Sequence, residues 1–377
     1  MHLTKRVWAE IDFDALKNNY EIIRNKCAVR VIPAVKADAY GHGAVAVASA
    51  LQNFGNDFYA VACLAEAVEL RENGITGDIL ILGYTPEEDV ENLIKYDVSQ
   101  TIYSEEYADI IGNKAKILGG RVKSHLKLDT GMGRIGFDCR EGKFDLSGVL
   151  NALDKENLDF VGVFTHFSVA DSGLEADKRF TKKQFDDFCK AVSILEEKGY
   201  KFEIKHCCNS AGLCEFDDMY MDAVRPGIIL YGISPSDKVE RFNEFKPVMS
   251  VYTRVSMVKE ITEGESVSYG RTYKSDKKRK IASVCAGYAD GLPLALSNTG
   301  RVLINGCSCP VLGRISMDYT MIDVSQVQGD VQWGTPVTLW GRDGDNEIGI
   351  AEYGKNKNTH IHDILCALGS RVERIYC

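Results

Sequence analysis

The chain has 377 residues, 45% of them hydrophobic and 26% charged, with 45 basic against 54 acidic side chains and a net charge of −9. That length points to two domains and is enough to bury a core without disulfides or metals. The acidic balance argues against binding a nucleic-acid backbone or an anionic membrane surface, and no apolar run is long enough to cross a bilayer.

The first residues, Met1-His2-Leu3-Thr4-Lys5-Arg6, lack the hydrophobic region of a signal peptide, so a cytoplasmic location and no membrane contact are expected. Of twelve cysteines, Cys207 and Cys208 are adjacent and Cys307 and Cys309 flank one serine; no CxxC pair occurs. No metal is therefore expected, and the cysteines read as reduced, small core residues.

Residues 7–12 look like a strand, and 13–26 continue with helical spacing of Leu16, Tyr20 and Ile23. The apolar run Val31-Ile32-Pro33-Ala34-Val35 ends on Lys36, and a polar loop with Gly41 and Gly43 follows. A lysine at a strand's surface end would simply be solvated. One at a buried end loses charge easily, which suits a nucleophile or base, as in a Schiff base with an aldehyde cofactor. After a helix at 44–54, strands are predicted at 58–64, 78–82, 98–103, 124–129, 160–167, 202–208 and 221–224. Helical composition fills 66–73, 87–96 and 181–198. Such alternation, repeated about eight times, predicts an α/β fold with a parallel sheet, most economically closed as a (β/α)₈ TIM-type barrel over residues 1–238; a doubly wound sheet is the alternative.

Beyond Tyr231-Gly232-Ile233-Ser234-Pro235 the texture changes to short β-branched runs at 249–258, 281–284, 302–304, 310–312, 319–324 and 336–340, punctuated by Asn305-Gly306 and Asp343-Gly344. A separate C-terminal all-β domain over 239–377 is predicted, with one late helix near 358–368.

Gly131-Met132-Gly133-Arg134-Ile135-Gly136 is a literal GxGxxG. A dinucleotide fingerprint must open a helix, and Phe137-Asp138-Cys139-Arg140-Glu141-Gly142 is a poor start for one, so that reading is rejected. On a barrel the loop instead offers Arg134 at the active-site mouth, suited to a carboxylate. His166, Ser210, Arg225 and Gly227 also follow predicted strands, and late-barrel loops often bind phosphate. Each alone has an ordinary structural reading; together with Lys36 and Arg134 they converge on one rim. In the β domain, Val267-Ser268-Tyr269-Gly270 and Ile315-Ser316-Met317-Asp318 look unlike fold-keeping sequence.

The motifs Lys36-Ala37-Asp38-Ala39-Tyr40-Gly41-His42-Gly43, Asp129-Thr130-Gly131-Met132-Gly133-Arg134-Ile135-Gly136, Thr165-His166-Phe167, Asn209-Ser210-Ala211, Arg225-Pro226-Gly227-Ile228, Ser268-Tyr269-Gly270, Gly287-Tyr288-Ala289-Asp290-Gly291 and Gly313-Arg314-Ile315-Ser316-Met317-Asp318 resemble those of alanine racemases. They run in family order across nearly the whole chain. The resemblance implies a homodimeric racemase of small amino acids that uses pyridoxal 5'-phosphate, with a TIM-type barrel followed by a β domain. It implies that Lys36 holds the cofactor and is the base on one face of the substrate, with Tyr269 of the partner subunit on the other. Arg225 would face the pyridine nitrogen, and His166 would link Arg225 to Tyr269. Tyr40, Ser210, Gly227 and Ile228 would bind the phosphate, Arg134 and the Met317 amide the substrate carboxylate, and Lys127 matches a lysine carbamylated in many members.

Two departures stand out. Ser316 replaces a common cysteine, and Ile361-His362-Asp363 replaces Asn-Tyr-Glu, so His362 stands where a tyrosine usually bonds the phosphate. The shorter side chain opens room for a substrate larger than alanine, which makes serine a second expected substrate and resembles the serine/alanine racemases of vancomycin resistance. Those proteins carry a membrane domain ahead of the racemase region, so both a catalytic part of such a protein and a soluble enzyme fit. The rival readings are a fold-related decarboxylase, against which Arg225 speaks, and a non-catalytic cofactor-binding protein, which would resemble the barrel alone.

Overall fold

The computed structural model describes residues 5–239, 241–355 and 361–377, which form two compact units. The first gathers 15–39, 44–239 and 241–246. Its eight strands are Arg30–Val31, Phe58–Val61, Asp78–Ile81, Ser99–Ile102, Val122–Asp129, Leu158–Phe164, Ile204–His206 and Ala223–Val224. From Phe58–Val61 to Ala223–Val224 each pairs in parallel with its neighbours in chain order, and Arg30–Val31 pairs in parallel with the last. The ring closes just beyond Pro33, where Ala34 bridges Ala60. There Ala60 N donates to Pro33 O and Val35 N to Ala60 O, both at 2.9 Å. Proline has no N–H, so at that residue the ladder runs through its carbonyl. The predicted barrel is therefore present, and the doubly wound alternative is excluded.

Both faces of these strands are covered, which is why they read as continuous apolar runs rather than alternating ones: every residue of Phe58–Val61 and of Ser99–Ile102 is buried. Helices Ala44–Asn53, Leu64–Glu72, Val90–Lys95 and Glu175–Glu197 lie close to the predicted ones. Helices Glu105–Ile117 and Leu146–Leu153 were not predicted. Both carry a cap that sequence inspection can find, since Ser104 accepts from Tyr107 N and Asp145 from Gly148 N.

The polar loop expected after Lys36 is instead a turn of left-handed helix. Ala37, Asp38, Ala39 and Tyr40 have φ of 52–54° and Gly41 has 79°, with Ala39 N donating to Val35 O at 2.9 Å. For residues bearing a Cβ this conformation costs about 1–2 kcal/mol each, so the surroundings must impose it. Composition gave no hint of it, because alanine is among the best right-handed helix formers.

The second unit gathers 5–14, 40–43, 247–355 and 361–377. Its central strand, Met249–Ile261, pairs antiparallel with Val7–Ile11, Arg279–Val284 and Pro336–Asp343. Val7–Ile11 is a strand, as read from the sequence, but it belongs to this sheet, where Glu373–Tyr376 pairs parallel on its other side. Arg301–Ile304 and Cys307–Pro310 form a hairpin whose Asn305-Gly306 turn has φ of 51° and 71°, the doubly positive pattern that matches strand twist. Helices Ile350–Lys355 and Ile361–Cys366 lie near the predicted late helix, of which 358–360 fall outside the described residues. Residues 40–43 are held within this unit by Arg374, whose Nε donates to Gly41 O at 3.0 Å. Among the described residues, no helix is long and apolar enough to cross a membrane.

Candidate active site

Lys36, Lys127, Arg134, His166, Ser210 and Arg225 all lie at or just beyond the carboxyl ends of barrel strands, the end at which such barrels place their chemistry. Arg225 is the centre of the cluster. It is 5% exposed, and no carboxylate among the described residues pairs with it. Its Nη2 donates to Thr165 O at 2.7 Å and Cys207 O at 3.0 Å, and its guanidinium lies 5.1 Å from the Phe164 ring centroid. Burial pushes its pKa down to about 10, which leaves it a cation at neutral pH.

A guanidinium only donates, so Arg225 fixes the tautomers around it. Its Nη1 lies 2.7 Å from His206 Nδ1, which must therefore accept; the His206 proton sits on Nε2. That atom lies 3.0 Å from His125 Nδ1, which accepts in turn and leaves the His125 proton on Nε2. Nη2 lies 3.3 Å from His166 Nδ1, so the His166 N–H is on Nε2, free of the arginine. All three imidazoles are held neutral. Burial first, then the Arg225 charge, lowers the pKa of His166 and His206 well below the ordinary value, and that of His125 to about 3. Gln184 Nε2 donates to His166 O at 3.3 Å, and Thr130 and Thr165 share a 2.8 Å hydroxyl contact behind it.

Lys127 is 3% exposed, and its Nζ has no hydrogen-bond partner. It sits 4.4 Å from the Phe164 ring centroid. Burial, then the charges of Arg225 and Arg134, hold its pKa well below the ordinary lysine value, so the amine is poised to be neutral. Arg134 is exposed, with no ion pair among the described residues, on a loop tied down by Asp129. Asp129 Oδ1 accepts from Gly131 N at 2.8 Å and Gly133 N at 3.1 Å. The segment after this loop is a strand, Phe137–Asp138, which pairs with Leu128 and Asp129 and so excludes the helix that a dinucleotide fingerprint needs.

Ser210 begins the helix Ser210–Glu215, capped by Asn209, which accepts from Gly212 N at 2.9 Å. Its buried hydroxyl accepts from Gly227 N at 2.8 Å, just before the turn Ile228–Tyr231. The first N–H groups of such turns have no partner inside them and suit a phosphate. A buried cation without a carboxylate, a hydroxyl beside turn amides and a neutral buried amine form a donor set that fits an anionic, nitrogen-heterocyclic cofactor.

In the β unit, Tyr40 and His362 stand with ring centroids 5.7 Å apart. Tyr269 and Met317 are 70% and 51% exposed. Their loops are joined, since Ser268 Oγ donates to Arg314 O and a side chain at Gly313 would strike Val267 O. Tyr269 and Met317 belong to the β unit and the arginine cluster to the barrel, so the chain alone brings together Arg225 with His166, Ser210 with Gly227, and Tyr40 with His362. Sequence reasoning assigned no role to Phe164, to the His206–His125 pair or to Asp129. Only Asp129 carried a legible signal, an aspartate two residues before a glycine.

A family described as alanine racemase, N-terminal domain, matches residues 11–235, and one described as alanine racemase, C-terminal domain, matches 248–376. An alanine racemase of Clostridium perfringens is 43% identical over 372 residues, covering 98% of this chain and 95% of that protein. The solved alanine racemase of Clostridium difficile 630 superposes with a TM-score of 0.92 at 38% identity, covering 100% of this chain and 97% of its own. That of Bartonella henselae, solved with covalently bound pyridoxal phosphate, gives 0.88 at 27% identity, covering 99% and 100%. With the two family domains matched over 11–235 and 248–376 and a relative 43% identical over nearly its whole length, the chain belongs to the alanine racemase family.

Proposed function

We propose that this protein interconverts L- and D-alanine with pyridoxal phosphate, and accepts serine as a second substrate. The observation that carries this reading is the buried Arg225, donating to His166 and to carbonyls with no carboxylate paired to it among the described residues. Pyridoxal phosphate, when bound, supplies a conjugated ring that withdraws charge from the substrate and makes its Cα proton removable. A carboxylate partner at the ring nitrogen would strengthen that withdrawal, as a decarboxylase needs; a guanidinium that keeps its own protons limits it and favours returning the proton to Cα.

The residues then divide the work. Ser210 and the Gly227–Ile228 backbone hold the phosphate, and the resemblance adds Tyr40 to them. Arg134 and the Met317 amide hold the substrate carboxylate. Lys36 takes or gives a proton on one face of Cα, and Tyr269 of the partner subunit does so on the other. The Nε2–H of His166, fixed by Arg225, is the donor available to such a tyrosine. His362, shorter than the tyrosine usual at its position, leaves space for a hydroxymethyl group, and its ring stands against Tyr40.

Chiral separation of products from L-alanine and L-serine tests this. The wild type should yield both D-enantiomers. Lys36→Ala should lose turnover together with the visible absorbance of the bound cofactor, and His362→Tyr should lower kcat/KM for serine relative to alanine about tenfold, the equivalent of 1.4 kcal/mol. No D-alanine from the wild type refutes the reading, and a serine ratio unmoved by His362→Tyr refutes the specificity argument.

A further inference from the structure

We infer that Glu66 is a positioning residue for Lys36, holding the left-handed turn that follows it; the inference deepens the reading of Lys36 as the cofactor-bearing base and rests on it. The turn runs through Ala37, Asp38, Ala39 and Tyr40, residues that would leave this conformation if nothing outside them imposed it. Glu66 is the third residue of the helix Leu64–Glu72. A glutamate there ordinarily folds back to the residue that caps its own helix. Here the carboxylate does something different. Its Oε1 accepts from Ala37 N at 2.6 Å and its Oε2 from Ala62 N at 2.7 Å.

Those two amides mark the ends of the two strand segments that close the barrel. Ala62 follows Phe58–Val61, and Ala37 follows the run in which Val35 N donates to Ala60 O. One carboxylate thus joins the seam of the ring at the residue next to Lys36. The bonds are charge-assisted, and the carboxylate sits at a helix N-terminus, where negative charge is favoured. The far end of the turn has its own anchor, since Asp38 Oδ1 accepts from Ala44 N at 2.8 Å. The direction of the Lys36 side chain depends on the backbone at 36–37, so loosening Glu66 frees the lysine without removing any group that touches substrate.

The test compares wild type, Glu66→Gln, Glu66→Ala and Glu66→Ala combined with Ala37→Gly, all carrying cofactor. Hydrogen exchange of the segment 36–41 and the kcat and KM for L-alanine are measured. In Glu66→Ala, exchange of that segment should rise at least tenfold while strands elsewhere in the barrel stay protected. Its kcat should fall tenfold or more with KM within threefold, and Glu66→Gln, which keeps one acceptor, should fall between. Ala37→Gly should restore at least threefold of the lost kcat, because glycine adopts the left-handed conformation without the steric penalty. Unchanged exchange at 36–41 in both single variants overturns the inference. So does a general loss of protection with no recovery from Ala37→Gly, which would make Glu66 an ordinary fold-keeping residue. If Glu66→Ala does not fold, Glu66→Gln carries the same comparison. Absence of racemisation in the wild type would strike the functional reading instead, since the exchange readout does not depend on turnover.

Discussion

Lys127 is the residue whose surroundings demand most explanation. A primary amine, buried without a hydrogen-bond partner and near two guanidinium groups whose charge lowers its pKa, is a poor place for a positive charge. Its neutral nitrogen can add carbon dioxide, forming a carbamate and releasing one proton. The new negative charge would then face the arginines that disfavour the ammonium. Carbon-13 NMR of the protein equilibrated with labelled bicarbonate should show a carbamate signal that Lys127→Ala lacks. That variant should raise KM for alanine about tenfold, near 1.4 kcal/mol, by releasing Arg134. The absence of the signal in the wild type would leave Lys127 as a plain buried amine.

At the scale of elements, five consecutive groups across the barrel strands depend on one another: His125, His206, Arg225, His166 and the Thr165 carbonyl. The imidazole of His125 accepts a proton near pH 6.5 in the unfolded chain but only near pH 3 in the folded barrel. Between those values the unfolded state binds more protons, so stability falls as the pH is lowered. The urea midpoint should therefore drop between pH 7 and pH 5, and drop less in His125→Gln. Equal pH dependence in the two proteins would show that His125 takes up its proton without unfolding. The barrel was legible from strand periodicity because buried parallel strands write themselves as apolar runs, and Lys36, Arg134, His166, Ser210 and Arg225 were legible because they stand at the ends of those runs. The left-handed turn was not, since the groups that bond its ends, Glu66 to Ala37 N and Ala44 N to Asp38, are brought in by the tertiary fold. The histidine file was not, since its members are brought together by three separate strands. The membership of Val7–Ile11 in the β unit was not, since strand propensity carries no information about partner.

At the scale of the whole molecule, Lys36 and the arginine cluster belong to the barrel and Tyr269 and Met317 to the β unit, so the proposed reaction draws on both. The large exposure of Tyr269 and Met317 suits residues that a second copy of the chain would cover. In the proposed reaction, one site takes Lys36 from one subunit and Tyr269 from the other. Mixing inactive Lys36→Ala dimers with inactive Tyr269→Phe dimers, under conditions that let subunits exchange, tests it most directly. Half of the randomly paired dimers are mixed and each has one intact site of two, so about one quarter of wild-type racemase activity should be recovered. Activity that stays at the level of the separate variants after verified exchange would contradict it.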